Sequence, residues 1–131
     1  MSIRNVGTDI IECVRIGQLI EQHGESFLRR VFTQAEIEYC SARAMATQHY
    51  AARWAAKNAV RKALGMRLGN GLSWRDFEVT SSSAGKAIVS LRGLARDAST
   101  AQQIHTIHIS LTTSRTMAVA FAIAEQEDIV F

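Results

Sequence analysis

An alanine-rich segment in the middle of the chain constrains the fold more than any other feature of the sequence. Residues 47–64 predict a long helix, and Gly65 follows it where a left-handed C-terminal cap is typical. At 100° per residue, one half of this helix carries only small and apolar side chains. They are Ala52, Ala55, Ala56, Ala59, Val60, Ala63 and Leu64. So many alanines on one face predict that another element packs closely against it.

The other half of the helix is cationic. Arg53, Lys57 and Arg61 recur every four residues, and Lys62 flanks them. Residues 41–75 hold seven basic residues and no acid, although the formal net charge of the whole chain is only +3. A surface with one sign of charge attracts a polyanion, and this spacing suits a pyrophosphate lying along one helix face. A solvated helix face and a nucleic-acid-binding surface are the alternatives.

The segments before the long helix predict one strand and two helices. Residues 3–11 read as a strand, in which Gly7 marks a bulge or a close approach of another backbone. A short helix should follow and end near Gly24. Thr33 and Glu36 form a capping-box sequence, which predicts that a second helix begins at residue 34.

The segments after the long helix alternate between apolar and polar residues and predict an antiparallel sheet. Residues 81–85 should join two strands as a hairpin loop, and a short helix over 94–103 should precede two further strands. In the last strand we expect the large residues to face the core and the alternating alanines to lie against a helix. These large residues are Met117, Val119, Phe121 and Ile123. The predicted fold is a single α+β domain over 1–131, with a mainly antiparallel sheet packed against the alanine-rich helix.

Composition excludes several classes of protein. With 131 residues, of which 47% are hydrophobic and 21% charged, the chain can bury a core and is not of a disordered type. Cys13 and Cys40 are too few for a disulfide scaffold and lack zinc-ligand spacing, so we expect reduced core thiols. No apolar run is long enough for a membrane span, and no signal-peptide core opens the sequence. We therefore expect a cytoplasmic protein.

Several segments of the sequence occur in the order found in one known family. They are VGTDIIE (6–12), FLRRVFT (27–33), ARWAAKNAVRKALG (52–65), WRDFEV (74–79), GK (85–86) and HISL (108–111). Together they resemble the holo-acyl-carrier-protein synthase family, the small trimeric 4′-phosphopantetheinyl transferases. The resemblance implies transfer of the 4′-phosphopantetheine arm from coenzyme A to a serine of an acyl carrier protein, with release of 3′,5′-ADP, in fatty acid biosynthesis and lipid metabolism.

The resemblance also implies the residues that serve this reaction. Asp9 would hold Mg²⁺ against the pyrophosphate of coenzyme A, and Asp9 and Lys62 would be the catalytic residues. Arg53, Lys57 and Lys62 would contact phosphates. This set matches the cationic half of the predicted helix.

Two further contacts and an assembly follow from the same resemblance. The turn at Gly85 and Lys86 would meet the adenosine end of coenzyme A, and Arg15 would meet the acidic carrier protein. The family's sites lie between subunits, which implies a homotrimer. Neither a membrane nor a nucleic acid is expected as a partner.

The sequence departs from the family pattern at two positions. Asn58 stands where the family has the glutamate that is its second metal ligand, and Thr113 stands where it has a histidine. An amide oxygen can bind Mg²⁺ but brings no charge to the ion. The two departures leave open an active transferase with a rearranged metal site, in which Glu12 or water replaces the missing ligand. They also leave open a relative that binds coenzyme A or an acyl carrier protein without efficient transfer.

Overall fold

A computed structural model describes residues 1–127, in which an antiparallel sheet and a separate hairpin surround one long helix. In chain order the elements are β1 (Ser2–Glu12), α1 (Cys13–His23), α2 (Glu25–Val31), α3 (Gln34–Ser41), α4 (Ala46–Ala63), a 3₁₀ turn (Trp74–Asp76), β2 (Phe77–Ser81), β3 (Ala87–Leu91), α5 (Gly93–Ala101), β4 (Ile104–Thr113) and β5 (Met117–Gln126). The α+β class and the hairpin between β2 and β3 are confirmed. Helix α2 was not predicted.

The main sheet has three antiparallel strands in the order β1, β5, β4, so the last strand of the chain lies in the centre. Strands β2 and β3 pair only with each other. As in any β-strand, the side chains of β5 alternate between the two faces of the sheet, and α4 covers one of these faces.

Helix α4 packs its alanine face directly on the sheet. Ala55, Ala59 and Ala63 of the helix are completely buried, as are Ala120 and Ala122 of β5. With methyl groups on both sides, the two backbones approach more closely than larger side chains allow. This arrangement confirms the prediction of close packing against the alanine face. Among residues 1–127, no helix has the length and apolar composition needed to cross a bilayer.

The structure confirms that the alanines of β5 lie against a helix, α4, and corrects the prediction that the large residues of this strand face the core. Its alanines form the buried face, whereas Phe121 and Ile123 are 56% and 37% exposed on the opposite face of the sheet. Strict alternation identifies the two faces of a strand but does not say which of them forms the core. Here the need for close approach to α4 selects the small residues for the core.

Local signals fix the start of α3 as predicted. Thr33 Oγ1 accepts a hydrogen bond from Glu36 N, and Glu36 Oε1 accepts one from Thr33 N, which completes the capping box. Cys40 at the end of this helix and Cys13 at the start of α1 are buried and free. Burial raises the pKa of Cys13 and raises that of Cys40 to about 11, so both thiols are protonated at neutral pH.

Candidate active site

A cavity of about 390 Å³ is lined mainly by residues from β1, α1 and α4. Its polar lining consists of Asp9, Glu12, Arg15, Asn58 and Arg61. Its apolar lining consists of Ile10, Ile11, Ile16, Leu19, Trp54, Leu68, Trp74 and Met117. A mixed lining of this kind suits a ligand that joins phosphate groups to an uncharged arm.

The carboxylate of Asp9 and the ammonium of Lys62 lie side by side. Asp9 is on the same face of β1 as Gly7, and its side chain is 15% exposed. Lys62 Nζ of α4 lies 3.5 Å from Asp9 Oδ1 and donates a hydrogen bond to Thr8 O at 3.0 Å. The fold therefore brings together the two residues predicted to be catalytic, one from the first strand and one from the long helix.

Arg61 is fixed within the cavity wall by two hydrogen bonds. Its Nε donates to Asn58 Oδ1 at 2.8 Å, and its Nη1 donates to Met66 O at 2.7 Å, just beyond the end of α4. Asn58 thus directs its amide oxygen to a guanidinium. Arg15, in the first turn of α1, supplies a second arginine to the same cavity.

The structure corrects the prediction that Arg53 and Lys57 lie on an exposed cationic face. Lys57 is completely buried: its Nζ lies 2.7 Å from Glu36 Oε1 and donates hydrogen bonds to the carbonyls of Trp74, at 3.1 Å, and Phe77. Burial lowers the pKa of Lys57, and the Glu36 carboxylate opposes this shift. Helical periodicity alone could not show that Arg53 and Lys57 are buried, because the partners of these two side chains lie on distant segments.

Arg53 is only 3% exposed and lies outside the lining of the cavity. Its guanidinium stacks on the ring of Tyr39, 4.0 Å from the centroid, and Arg43 stacks on the same ring at 3.6 Å. Its Nε is a buried donor without a partner among the described residues. A phosphate contact by Arg53 or Lys57 would require either side chain to leave these surroundings.

The remaining predicted residues lie away from the cavity of a single chain. Gly85 has a φ of 81° in the turn between β2 and β3, and Lys86 beside it is exposed. Thr113 is the exposed last residue of β4 and pairs with Ala118 of β5. None of the three is among the residues that line the cavity.

The aromatic wall of the cavity was not predicted from the sequence. Trp54 and Trp74 meet edge to face, with ring centroids 5.9 Å apart, although 20 residues separate them in the chain. Trp54 sits beside the cations of α4, but nothing in the sequence indicates that Trp74 joins it. Among residues 1–127, no group of three or more histidine, cysteine or acidic side chains is arranged to hold a metal ion.

Comparison with known families matches nearly the whole chain. The model of the 4′-phosphopantetheinyl transferase superfamily matches residues 5–123. Holo-[acyl-carrier-protein] synthase from Rhodopirellula baltica is 46% identical over 123 residues, which are 94% of this chain and 98% of the relative. The corresponding protein from Syntrophus aciditrophicus is 39% identical, over 94% of this chain and 96% of its own length.

Solved structures show the same fold. Holo-[acyl-carrier-protein] synthase from Neisseria meningitidis superposes with a TM-score of 0.86 at 28% identity, covering 95% of this chain and 100% of the other. The enzyme from Bacillus anthracis, solved in complex with CoA (3′,5′-ADP), superposes with a TM-score of 0.78 at 30% identity, covering 95% and 98%. The likeness extends over both the sheet and the helices.

Proposed function

The chain belongs to the holo-acyl-carrier-protein synthase family of the 4′-phosphopantetheinyl transferase superfamily, and from this premise we propose which of its residues carry out the reaction. The protein transfers the 4′-phosphopantetheine arm of coenzyme A to a serine of an acyl carrier protein. Phosphoryl-type transfer depends mainly on positioning and on charge stabilisation. The observation that carries our assignment is the pairing of Asp9 with Lys62 beside a cavity lined by two arginines.

We assign to Lys62 the contact with the transferred phosphoryl group. An ammonium has three N–H donors, and Lys62 uses two of them on Thr8 O and Asp9 Oδ1. The third is available to a phosphate oxygen, and its positive charge offsets the negative charge of the transition state. Because two contacts already hold the ammonium in place, little reorganisation is needed when coenzyme A binds.

Asp9 is the residue that would hold Mg²⁺. Mg²⁺ commonly takes one or two carboxylates and completes its shell with water and substrate phosphates, so one carboxylate beside the cavity fits the ion. When bound, the ion supplies further positive charge to the diphosphate. We leave Asn58 out of the metal site, because the guanidinium that binds its amide oxygen repels a cation. Glu12 lines the same cavity and is the second carboxylate available there.

The proposed assignment is tested by mass spectrometry of an apo acyl carrier protein incubated with the protein, coenzyme A and Mg²⁺. We expect the carrier to gain the mass of one phosphopantetheine. Asp9→Ala should lower the initial rate by at least about a hundredfold, as loss of a charge-stabilising group does. Asp97→Ala, at an exposed aspartate of α5, is the matched control and should leave the rate unchanged. No gain of mass with the unaltered protein would contradict the function.

Arg15 is our candidate for contact with the carrier protein. It is exposed in the first turn of α1 and also lines the cavity, so an acidic carrier bound there would present its serine next to the diphosphate. The two free buried thiols are typical of proteins from a reducing compartment, which supports a cytoplasmic location.

The exposed face of the sheet supports assembly into a trimer. Val6 and Ile10 of β1 and Phe121 of β5 are each more than half exposed, and all point away from α4. Apolar residues grouped on one sheet face are typical of a subunit interface. In such an assembly the turn at Gly85 and Lys86 could reach the cavity of a neighbouring subunit and contact the adenosine end of coenzyme A.

Phe121→Glu tests this interface. A carboxylate in the middle of an apolar contact is expected to dissociate the trimer into monomers, because the charge would lose its hydration. Sedimentation velocity measures the change in mass. Leu94→Glu, at an exposed leucine of α5, is the control and should remain trimeric. A Phe121→Glu protein with an unchanged sedimentation coefficient would place the interface elsewhere.

A further inference from the structure

Arg61 is a cation of the cavity wall that has no acidic partner in the part of the chain that the structure describes. Within residues 1–127 its guanidinium forms no ion pair, whereas Lys62 pairs with Asp9 and Lys57 pairs with Glu36. Its two hydrogen-bond acceptors, Asn58 Oδ1 and Met66 O, are both neutral. A half-buried positive charge without a counter-ion favours binding of an anion.

The orientation of Arg61 is set before any ligand binds. Bonds from Nε and Nη1 hold two of its three nitrogens, which fixes the plane of the guanidinium and leaves Nη2 without a partner among the described residues. A fixed planar fork is the geometry that suits phosphate oxygens. Much of the side-chain entropy that phosphate binding would otherwise remove is therefore already lost in the free protein.

The residues around Arg61 determine which ligand it can take. Asp9, whose charge Lys62 balances, lies in the same cavity, and Asn58 adds no charge. An anion next to Arg61 therefore meets two arginines without an ion-pair partner among the described residues, Arg61 and Arg15. Of the two carboxylates in the same lining, Asp9 already has Lys62 as its partner and Glu12 offsets one of the two arginine charges. Capping at the end of α4 can explain the hydrogen bond from Arg61 to Met66 O. It requires neither the positive charge of Arg61 nor the hydrogen bond from Arg61 to Asn58.

We propose that Arg61, oriented by Asn58, binds the diphosphate of coenzyme A directly and supports cofactor affinity without a metal ion. This inference rests on the proposed function, since it assigns a further residue to the same cavity. Its consequence is that removal of the divalent ion leaves substantial binding of coenzyme A in this chain.

Calorimetric titration with coenzyme A, in EDTA and in Mg²⁺, tests the proposal without any measurement of catalysis. The unaltered protein should bind in both conditions. Arg61→Ala should weaken binding in EDTA by about tenfold to hundredfold, the range for one charged hydrogen-bonding group. Arg61→Gln removes the charge and retains a donor for Met66 O, so it should lose affinity to a similar extent and stay folded. Arg96→Ala, at an exposed arginine of α5, is the matched control.

Asn58→Glu gives an independent test of the same arrangement. A carboxylate at this position would pair with Arg61 and neutralise it, so binding in EDTA should weaken about as much as in Arg61→Ala. Added Mg²⁺ should then restore more affinity in Asn58→Glu than in the unaltered protein, because a second carboxylate strengthens a metal site.

Two results would overturn the proposal while leaving the proposed function intact. One is equal affinity of Arg61→Gln and the unaltered protein in EDTA. The other is binding of coenzyme A by the unaltered protein in Mg²⁺ but not in EDTA. Failure to bind in either condition, together with no modification of the carrier, would count against the proposed function as well.

Discussion

Gly7→Ala is expected to unfold the protein or prevent it from folding. A methyl group on Gly7 would lie 1.9 Å from Ala59 O and 2.9 Å from Ala63 N, which are both backbone atoms of α4. Backbone atoms cannot rotate away as a side chain does, so β1 and α4 would have to separate. This contact brings the two elements of the Asp9–Lys62 pair together. We expect a loss of more than about 4 kcal/mol in the free energy of unfolding, well above the usual effect of a point mutation.

Gly17→Ala is the matched control for this prediction. Gly17 lies in the middle of α1, and a methyl group there would meet only Thr47 Cγ2, at an ordinary contact distance of 3.7 Å. Alanine favours the helix, so we expect stability to be unchanged or raised by about 1 kcal/mol. Urea denaturation followed by circular dichroism measures both variants. An unfolding midpoint of Gly7→Ala equal to that of the unaltered protein would contradict the prediction. It would mean that close contact at Gly7 does not set the distance between β1 and α4.

The course of the backbone could largely be predicted from local signals in the sequence. The capping box at Thr33 fixes the start of α3, and the observed bounds of α4 differ by one residue at each end from those expected. Gly7 in the first strand predicts a bulge or a close approach of another backbone, and the lack of room for a Cβ next to Ala59 O confirms the close approach. Each of these features depends on neighbouring residues or on one helix face, which a sequence displays directly.

The burial of charge could not be predicted in the same way. Helical periodicity places Lys57 on the polar half of α4, yet its partners come from α3 and from the segment that leads into β2. A side chain's partners on distant segments are set by the tertiary fold and leave no mark on the periodicity of its own helix. The same reason explains why Trp74 was not expected to join Trp54 in the cavity wall.

Lys57→Met is expected to be the second strongly destabilising change. It would leave the carboxylate of Glu36 buried without its ammonium partner, and it would also remove donors from the carbonyls of Trp74 and Phe77. Breaking a buried pair by removing one partner costs about 3–5 kcal/mol. Urea denaturation should show this loss, whereas Lys86→Met, at an exposed turn, should stay within about 0.5 kcal/mol of the unaltered protein.

The double variant Glu36→Gln/Lys57→Met separates the charge of this pair from its geometry. Glu36 Oε1 and Oε2 accept hydrogen bonds from the backbone N–H groups of Thr33 and Val79, at 2.8 Å each, and a glutamine keeps one oxygen that can accept from one of the two. It removes the unpaired charge, so the double variant should regain much of the stability that Lys57→Met alone loses. A double variant as unstable as the single one would attribute the loss to unsatisfied backbone groups, namely the carbonyls of Trp74 and Phe77 and the N–H that the glutamine leaves unbound.

The expected recovery bears on why the pair is present. Burial lowers the pKa of Lys57, whereas the Glu36 carboxylate acts to raise it, so desolvation and ion pairing oppose each other at this ammonium. The pair also fixes position, because it connects the start of α3, the middle of α4 and the start of β2 at one point. Lys57 and Asn58 are adjacent on α4, so the same contacts hold the helix segment that carries Asn58 and Arg61 into the cavity.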